Sequence, residues 1–101
     1  MNQLLLKNGN IYLDSELYET YFSAINSVVL IKKESLIQML PVQQAGGGLL
    51  LKIKNAKGDR IVHATEFFQQ HGLEIEMDKE ILLDAKWNAE MAALTFSMDA
   101  A

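Results

Sequence analysis

His63, Glu66 and His71 come closest in this chain to metal-ligand or acid–base chemistry. Imidazole and carboxylate both bind zinc, but a site needs three or four such donors converging. His63 and Glu66 lie three positions apart, and His71 falls near the end of an expected short helix, where the helix dipole attracts a cation. No denser donor motif accompanies them. His63 with nearby carboxylates could act as a general base, yet no nucleophile or acid is spaced to work with it. Glu74, Glu76, Asp78 and Glu80 repeat at every second position, the period of a strand's outward face. They lack the Asp-x-Asp-x-Asp-Gly order of a calcium loop. The sequence therefore predicts no catalytic residue, no metal and no cofactor.

Ala45-Gly46-Gly47-Gly48 offers backbone amides of the kind that wrap a phosphate. A phosphate loop continues into Lys-Ser/Thr and a helix, whereas Leu49-Leu50-Leu51 reads as a strand. The glycines are expected to form a connection at 45–48 within one domain spanning 1–101. Lys52, Lys54, Lys57 and Arg60 surround one expected hairpin and suit an acidic protein surface or a phosphate. No aromatic residues are interleaved with them to stack bases. Phe67 and Phe68 are adjacent, so both cannot face one narrow helical stripe. One is expected in the core and the other against a neighbouring chain. Phe67, Phe68, Lys52, Lys54 and Arg60 are thus the candidate interface residues. Tyr12, Tyr18, Tyr21, Phe22, Trp87 and Phe96 are expected as core or interface anchors.

The elements that must position these residues fit a small fold. A chain of 101 residues, 50% hydrophobic and 22% charged, is globular and long enough for one modest core. The absence of cysteine excludes disulfides, thiol nucleophiles and cysteine zinc sites, and fits a cytoplasmic location. The apolar stretch in residues 1–7 is too short for a signal peptide, and no run reaches the ~20 residues of a membrane span. Residues 1–60 carry seven Lys/Arg against five Asp/Glu, a net +2; residues 61–101 carry two against eight, a net −6. The acidic second half disfavours nucleic acid and anionic lipid.

Leu4–Leu6 and Ile11–Leu13 read as strands around an Asn8-Gly9-Asn10 turn. Asp14 or Ser15 caps a helix whose stripe is Leu17, Tyr21 and Ile25. Val28–Ile31 and Leu36–Leu40 form a hairpin about Lys32–Ser35, and Pro41 marks a strand end or an edge. In 49–54, Leu51 and Ile53 should share one face and Lys52 and Lys54 the other. Asn55-Ala56-Lys57-Gly58 is a turn, and Asp59–His63 is the returning strand. Thr65 should cap the helix over 66–71, which Gly72 stops. Residues 73–83 alternate as a half-buried strand, with a turn at Asp78–Glu80. Residues 94–98 form a strand, and 85–92 fit either a helix or a strand and turn. Both halves thus hold a hairpin and a short helix, without a residue-level repeat. The expected class is α+β: a small strand-rich single domain, a β-barrel or roll of hairpins, with two short helices.

Residues 7–42 resemble the swapped-hairpin barrel family of AbrB-like and MraZ-like proteins. The likeness lies in Lys7-x-Gly9-x-Ile11-x-Leu13, the capped helix with Leu17 and Phe22, the apolar strand at 28–31 and the hairpin return ending Leu40-Pro41. The resemblance implies a β-barrel built by two chains and DNA binding by a basic strand surface. The chain departs from the family where Asp14-Ser15 replaces a Pro, where the helix lacks an Arg, and where Asn26-Ser27 replaces a Gly. The first functional expectation is a non-enzymatic protein-binding or assembly module, with a protein partner or a homodimer. An AbrB-like DNA-binding regulator and an enzyme using His63 are the alternatives.

Overall fold

The computed structural model describes residues 2–42 and 47–98. Ala45 and Gly46 of the expected glycine connection lie outside the described residues. The leucines of the first segment sit in β1 (Asn2–Lys7), which turns into β2 (Asn10–Leu13). Asn8 and Gly9 take φ of 53° and 79°, the pair of positive values that matches a tight hairpin to the strand twist. α1 (Ser15–Tyr21) follows, and Asp14 rather than Ser15 is its cap: Oδ1 accepts the Leu17 N–H at 2.7 Å. The helix is shorter than its apolar stripe. Ile25 lies beyond it, in a turn closed by its N–H onto the Phe22 carbonyl.

β3 (Ser27–Lys33) and β4 (Leu36–Val42) form the expected hairpin. Pro41 falls past the last β4 residue paired with β9 (Ala93–Ser97), where its missing N–H breaks no ladder on that side. Residues 49–53 depart from a single alternating strand. They split into β5 (Leu49–Leu50) and β6 (Lys52–Ile53), with Leu51 between them turned into the core and its N–H donated to Asn26 O. The register still sets Ile53 in line with Arg60 and buried Leu13, opposite in face to Lys52, but β6 ends the strand order and Ile53 is 69% exposed. The turn at 55–58 is as expected, with Gly58 at φ 91°, and β7 (Arg60–His63) begins one residue after Asp59.

α2 (Thr65–Gln70) has Ala64 at its cap position, with no side-chain cap bond. The Thr65 hydroxyl instead donates to Asn8 O, tying the helix to the first hairpin. Gly72 stops the helix at φ 69°: its N–H bonds Gln69 O, and the Leu73 N–H bonds Phe68 O. The alternation at 73–77 does not form a strand. Leu73 and Ile75 pack half-buried against the core, Met77 is exposed, and the turn falls at 77–78 with Asp78 at φ 62°. Glu80 therefore opens β8 (Glu80–Asn88), and residues 85–92 resolve as strand then turn.

All strand pairs are antiparallel, in the order β5-β3-β4-β9-β8-β1-β2-β7-β6, a nearly closed barrel-like sheet. The segment 49–53 brings the ends of that order together, pairing first with β3 and then with β7. β2 and β7 are antiparallel neighbours and each runs into a helix, so α1 and α2 lie at opposite ends of the barrel. The core holds Leu4, Leu13, Phe22, Met39, Phe68 and Phe96 with their neighbours from both halves.

The connectivity repeats. A hairpin, a helix and a second hairpin occur as β1-β2-α1-β3-β4 and again as β6-β7-α2-β8-β9. The two units interlock through β2·β7 and β4·β9, so one chain builds the barrel by itself. The broken strand β5–β6 occupies the place in the second unit that β1 holds in the first. Among the described residues no helix is long and apolar enough to cross a membrane.

Candidate interaction surface

Directly opposed residues of neighbouring strands point to one face of a sheet. The register carries one such line across Leu82 of β8, Leu5 of β1, Tyr12 of β2 and Ile61 of β7, ending on Lys52 of β6. The residues beside them in each strand, Leu4, Ile11, Leu13, Val62 and Leu83, are buried, so this line lies on the outer face. Leu82 is 63% exposed, and Leu5, Tyr12 and Ile61 are half-buried. Four adjacent apolar side chains thus form a transverse ridge on the solvent side.

Polar lines flank the ridge. On one side Gln3 donates to Asp84 Oδ1 at 3.3 Å. On the other, Lys7 stands opposite Glu80, and Asn10 Oδ1 lies 2.9 Å from His63 Nδ1. The ridge is also polar along its length. Its β8 end carries Asp84 and Glu80, and its β6 end carries Lys52 and Lys54. Lys54 Nζ sits 4.8 Å from the centre of the Tyr12 ring, a cation–π contact that leaves the lysine beside the apolar line. A shallow recess of about 260 Å³ opens between Leu5, Tyr12, Leu82, Lys54 and Asp59.

The turn carrying the basic end is held by Asp59. Its carboxylate accepts the Ser15 N–H at 2.8 Å and Asn55 Nδ2 at 3.0 Å. Asn55 Oδ1 in turn accepts the N–H groups of Lys57 and Asp59. The Asn55 side chain, then the Ser15 N–H, and then the charges of Lys57 and Lys54 hold the Asp59 carboxyl below its ordinary value. The hairpin is thereby fastened to the start of α1.

The candidate interface residues divide. Lys52 and Lys54 are exposed on the hairpin. Arg60 is not a free cation: its guanidinium lies 3.9 Å from the centre of the Tyr18 ring and Nη1 donates to Gly58 O. Phe68 is fully buried, so it is the core member of its pair and offers no surface. Phe67 is half-buried, edge-on to Phe68 and tilted against His71. It borders a groove of about 390 Å³ between β3 and α2, together with Val28, Leu30, Leu49 and Gln70.

His63, Glu66 and His71 stay separate in role. His63 pairs with Asn10 and His71 with the Phe67 ring. Among the described residues no three His, Asp or Glu side chains gather to hold a metal ion. Glu74 and Glu76 are exposed on irregular chain, and Glu76 pairs with Lys79 at 3.3 Å. The sequence reading missed Leu5, Leu82 and Ile61. Each sits among other apolar residues, and only cross-strand register lines them up. No family model, curated protein or solved structure matches the chain.

Proposed function

We propose that this chain is a small non-enzymatic protein-binding or assembly module, cytoplasmic, which self-associates through the outer face of β8, β1, β2 and β7. One observation carries the reading: the exposed ridge Leu82–Leu5–Tyr12–Ile61, acidic at one end and basic at the other. Aligned packing of two sheets buries the apolar line of each. A two-fold axis parallel to the strands lays the ridge on its own copy with the ends exchanged. Lys52 and Lys54 of one copy then meet Asp84 and Glu80 of the other, and such complementarity fixes orientation.

Sedimentation equilibrium tests this. The expected result is a monomer–dimer equilibrium that weakens with salt, because exposed charge pairs are screened. Leu82→Asp places a carboxylate on the ridge and should weaken association at least ~tenfold. A wild-type chain that stays monomeric at high concentration removes the homodimer.

A second reading, an AbrB-like DNA-binding regulator, is favoured by one observation: the strand–helix–hairpin order of residues 7–42 recurs in the second half. The basic hairpin of Lys52, Lys54 and Lys57 would supply its phosphate contacts. Fluorescence anisotropy with random duplex DNA at low salt decides it, since non-specific affinity is greatest there.

A further inference from the structure

Among the described residues the barrel is incompletely sealed along β3. β3 is paired along its whole length to β4, but on its other side only Ser27 and Val28 are paired, to Leu50 and Leu49 of β5. Among the described residues no strand takes the free side of Val29–Lys33. Every second residue there directs its N–H and C=O away from β4, a row of donors and acceptors that an incoming strand can satisfy. Gly48, at φ 77°, marks where the chain leaves the ladder, and a Cβ there would press into the Val28 carbonyl.

The ground beside this edge is shaped for side chains. The groove of about 390 Å³ runs between the edge and α2, walled by Leu30, Leu49 and Phe67. Phe67 is braced by the buried Phe68 ring, with centroids 5.6 Å apart. On the outer face Val29 and Ile31 are 37% and 43% exposed and extend the apolar surface along the same edge.

We propose that this edge and groove take up an extended segment of a partner protein as an added strand, running antiparallel to β3. This rests on the reading of the chain as a binding module but uses a different surface from the self-association ridge. Main-chain bonds would supply affinity, and the groove would select apolar side chains at alternate positions. Charge chooses the partner. Exposed Lys33 closes the free edge; half-buried Lys32 beside it gives one N–H to the Glu34 carbonyl in the turn, and no acidic residue of a neighbouring strand pairs with either lysine. An antiparallel segment therefore carries Asp or Glu at its N-terminal end. A second copy of β3, paired about Ile31, would instead set these lysines beside Leu30 and Val29 and leave their charges uncompensated.

The probe is a fluorescein-labelled synthetic peptide of alternating valine and threonine, preceded by two aspartates; its control begins with two lysines. The full chain should bind the aspartate peptide at least ~tenfold more tightly than the control. Binding should slow hydrogen exchange at alternate amides within Val29–Lys33. Phe67→Ala should weaken it, and the Lys32→Glu, Lys33→Glu double variant should reverse the preference. Lys33→Glu alone, with its urea midpoint checked, gives the same direction if the double variant folds poorly. The proposal is overturned by no saturable binding of either peptide. It is also overturned by a preference unchanged in the charge-reversed chains, or by protection of Val29–Lys33 that rises with protein concentration alone. Leu82→Asp should leave peptide binding intact, so failure of the edge and failure of the dimer are read separately.

Discussion

Two of the seams that join the halves of the barrel, β1 with β8 and β3 with the broken strand, occupy corresponding places in the repeated unit, yet they are built differently. Where β1 meets β8, pairing runs along all of Asn2–Lys7 and Glu80–Ala85, with Leu4 and Leu6 buried on the inner face. Where β3 meets the broken strand, pairing stops after Ser27 and Val28. The cause is local. Leu51 turns inward and hands the chain from β3 to β7, and Gly48 bends it away on the other side. The same connectivity thus yields a sealed seam and a half-open one. A barrel removes sheet edges by closing; this one keeps a short edge, guarded by Lys32 and Lys33.

The largest expected contrast is in the core beside each seam. Leu4→Ala, at a fully buried position, should cost roughly 2–5 kcal/mol in urea unfolding. Leu49→Ala, half-buried at the open seam, should cost about 1 kcal/mol. Equal losses would mean that the two seams contribute alike. Gly48→Ala sharpens the point: it forces a Cβ into a left-handed conformation against the Val28 carbonyl, and about 1–3 kcal/mol should be lost. If Ala is tolerated there, the exit from β3 is not fixed by that glycine. Hydrogen exchange gives a subtler signature. Leu5, Leu6 and Lys7, paired to β8 and β2, should all be protected, whereas Val29–Lys33 should show protection only at every second amide. Uniform protection in β3 would close the seam.

The smallest effect is electrostatic and belongs to the hairpin that opens the second unit. Asp59 has its folded-state carboxyl lowered by the Asn55 side chain and the Ser15 N–H. Its contribution is present above the ordinary carboxylate value and is lost as pH falls through the lowered one. Wild type should therefore exceed Asp59→Asn in urea midpoint near neutrality, and the two should converge in acid. A gap that persists through the acid range would assign the effect to shape rather than charge.

Much of this fold is legible in sequence where one local force dominates. Gly58 and the Asn8-Gly9 pair announce their turns through positive φ, and the β-branched run at 28–31 announces its hairpin. Alternation misled where packing, not pairing, set the pattern. Leu73 and Ile75 face the core from irregular chain, and Ile53 stays exposed because β6 ends the strand order. Thr65 looked like a cap but spends its hydroxyl on Asn8 O. The repeat left a trace in Ser15-Glu16-Leu17-Tyr18 and Thr65-Glu66-Phe67-Phe68, fifty positions apart. Turns of different length and the short β6 hide the rest. The ridge was not legible, because register between strands distant in sequence is written in no local stretch of chain.

The Asn8-Gly9 turn carries a consequence for the order of events during synthesis. Asn8 O accepts from Thr65, Gly9 O from the Ala64 N–H, and Asn8 Oδ1 from the Asp78 N–H. A turn at residues 8–9 therefore finds these partners only once residues 64–78 have been made. Before then β3 gains only the two-residue β5, while β1, β2 and β4 all await strands of the second half. Contacts this distant in sequence slow folding. The nascent chain must carry two apolar hairpins with largely bare edges until β7, β8 and β9 have been made.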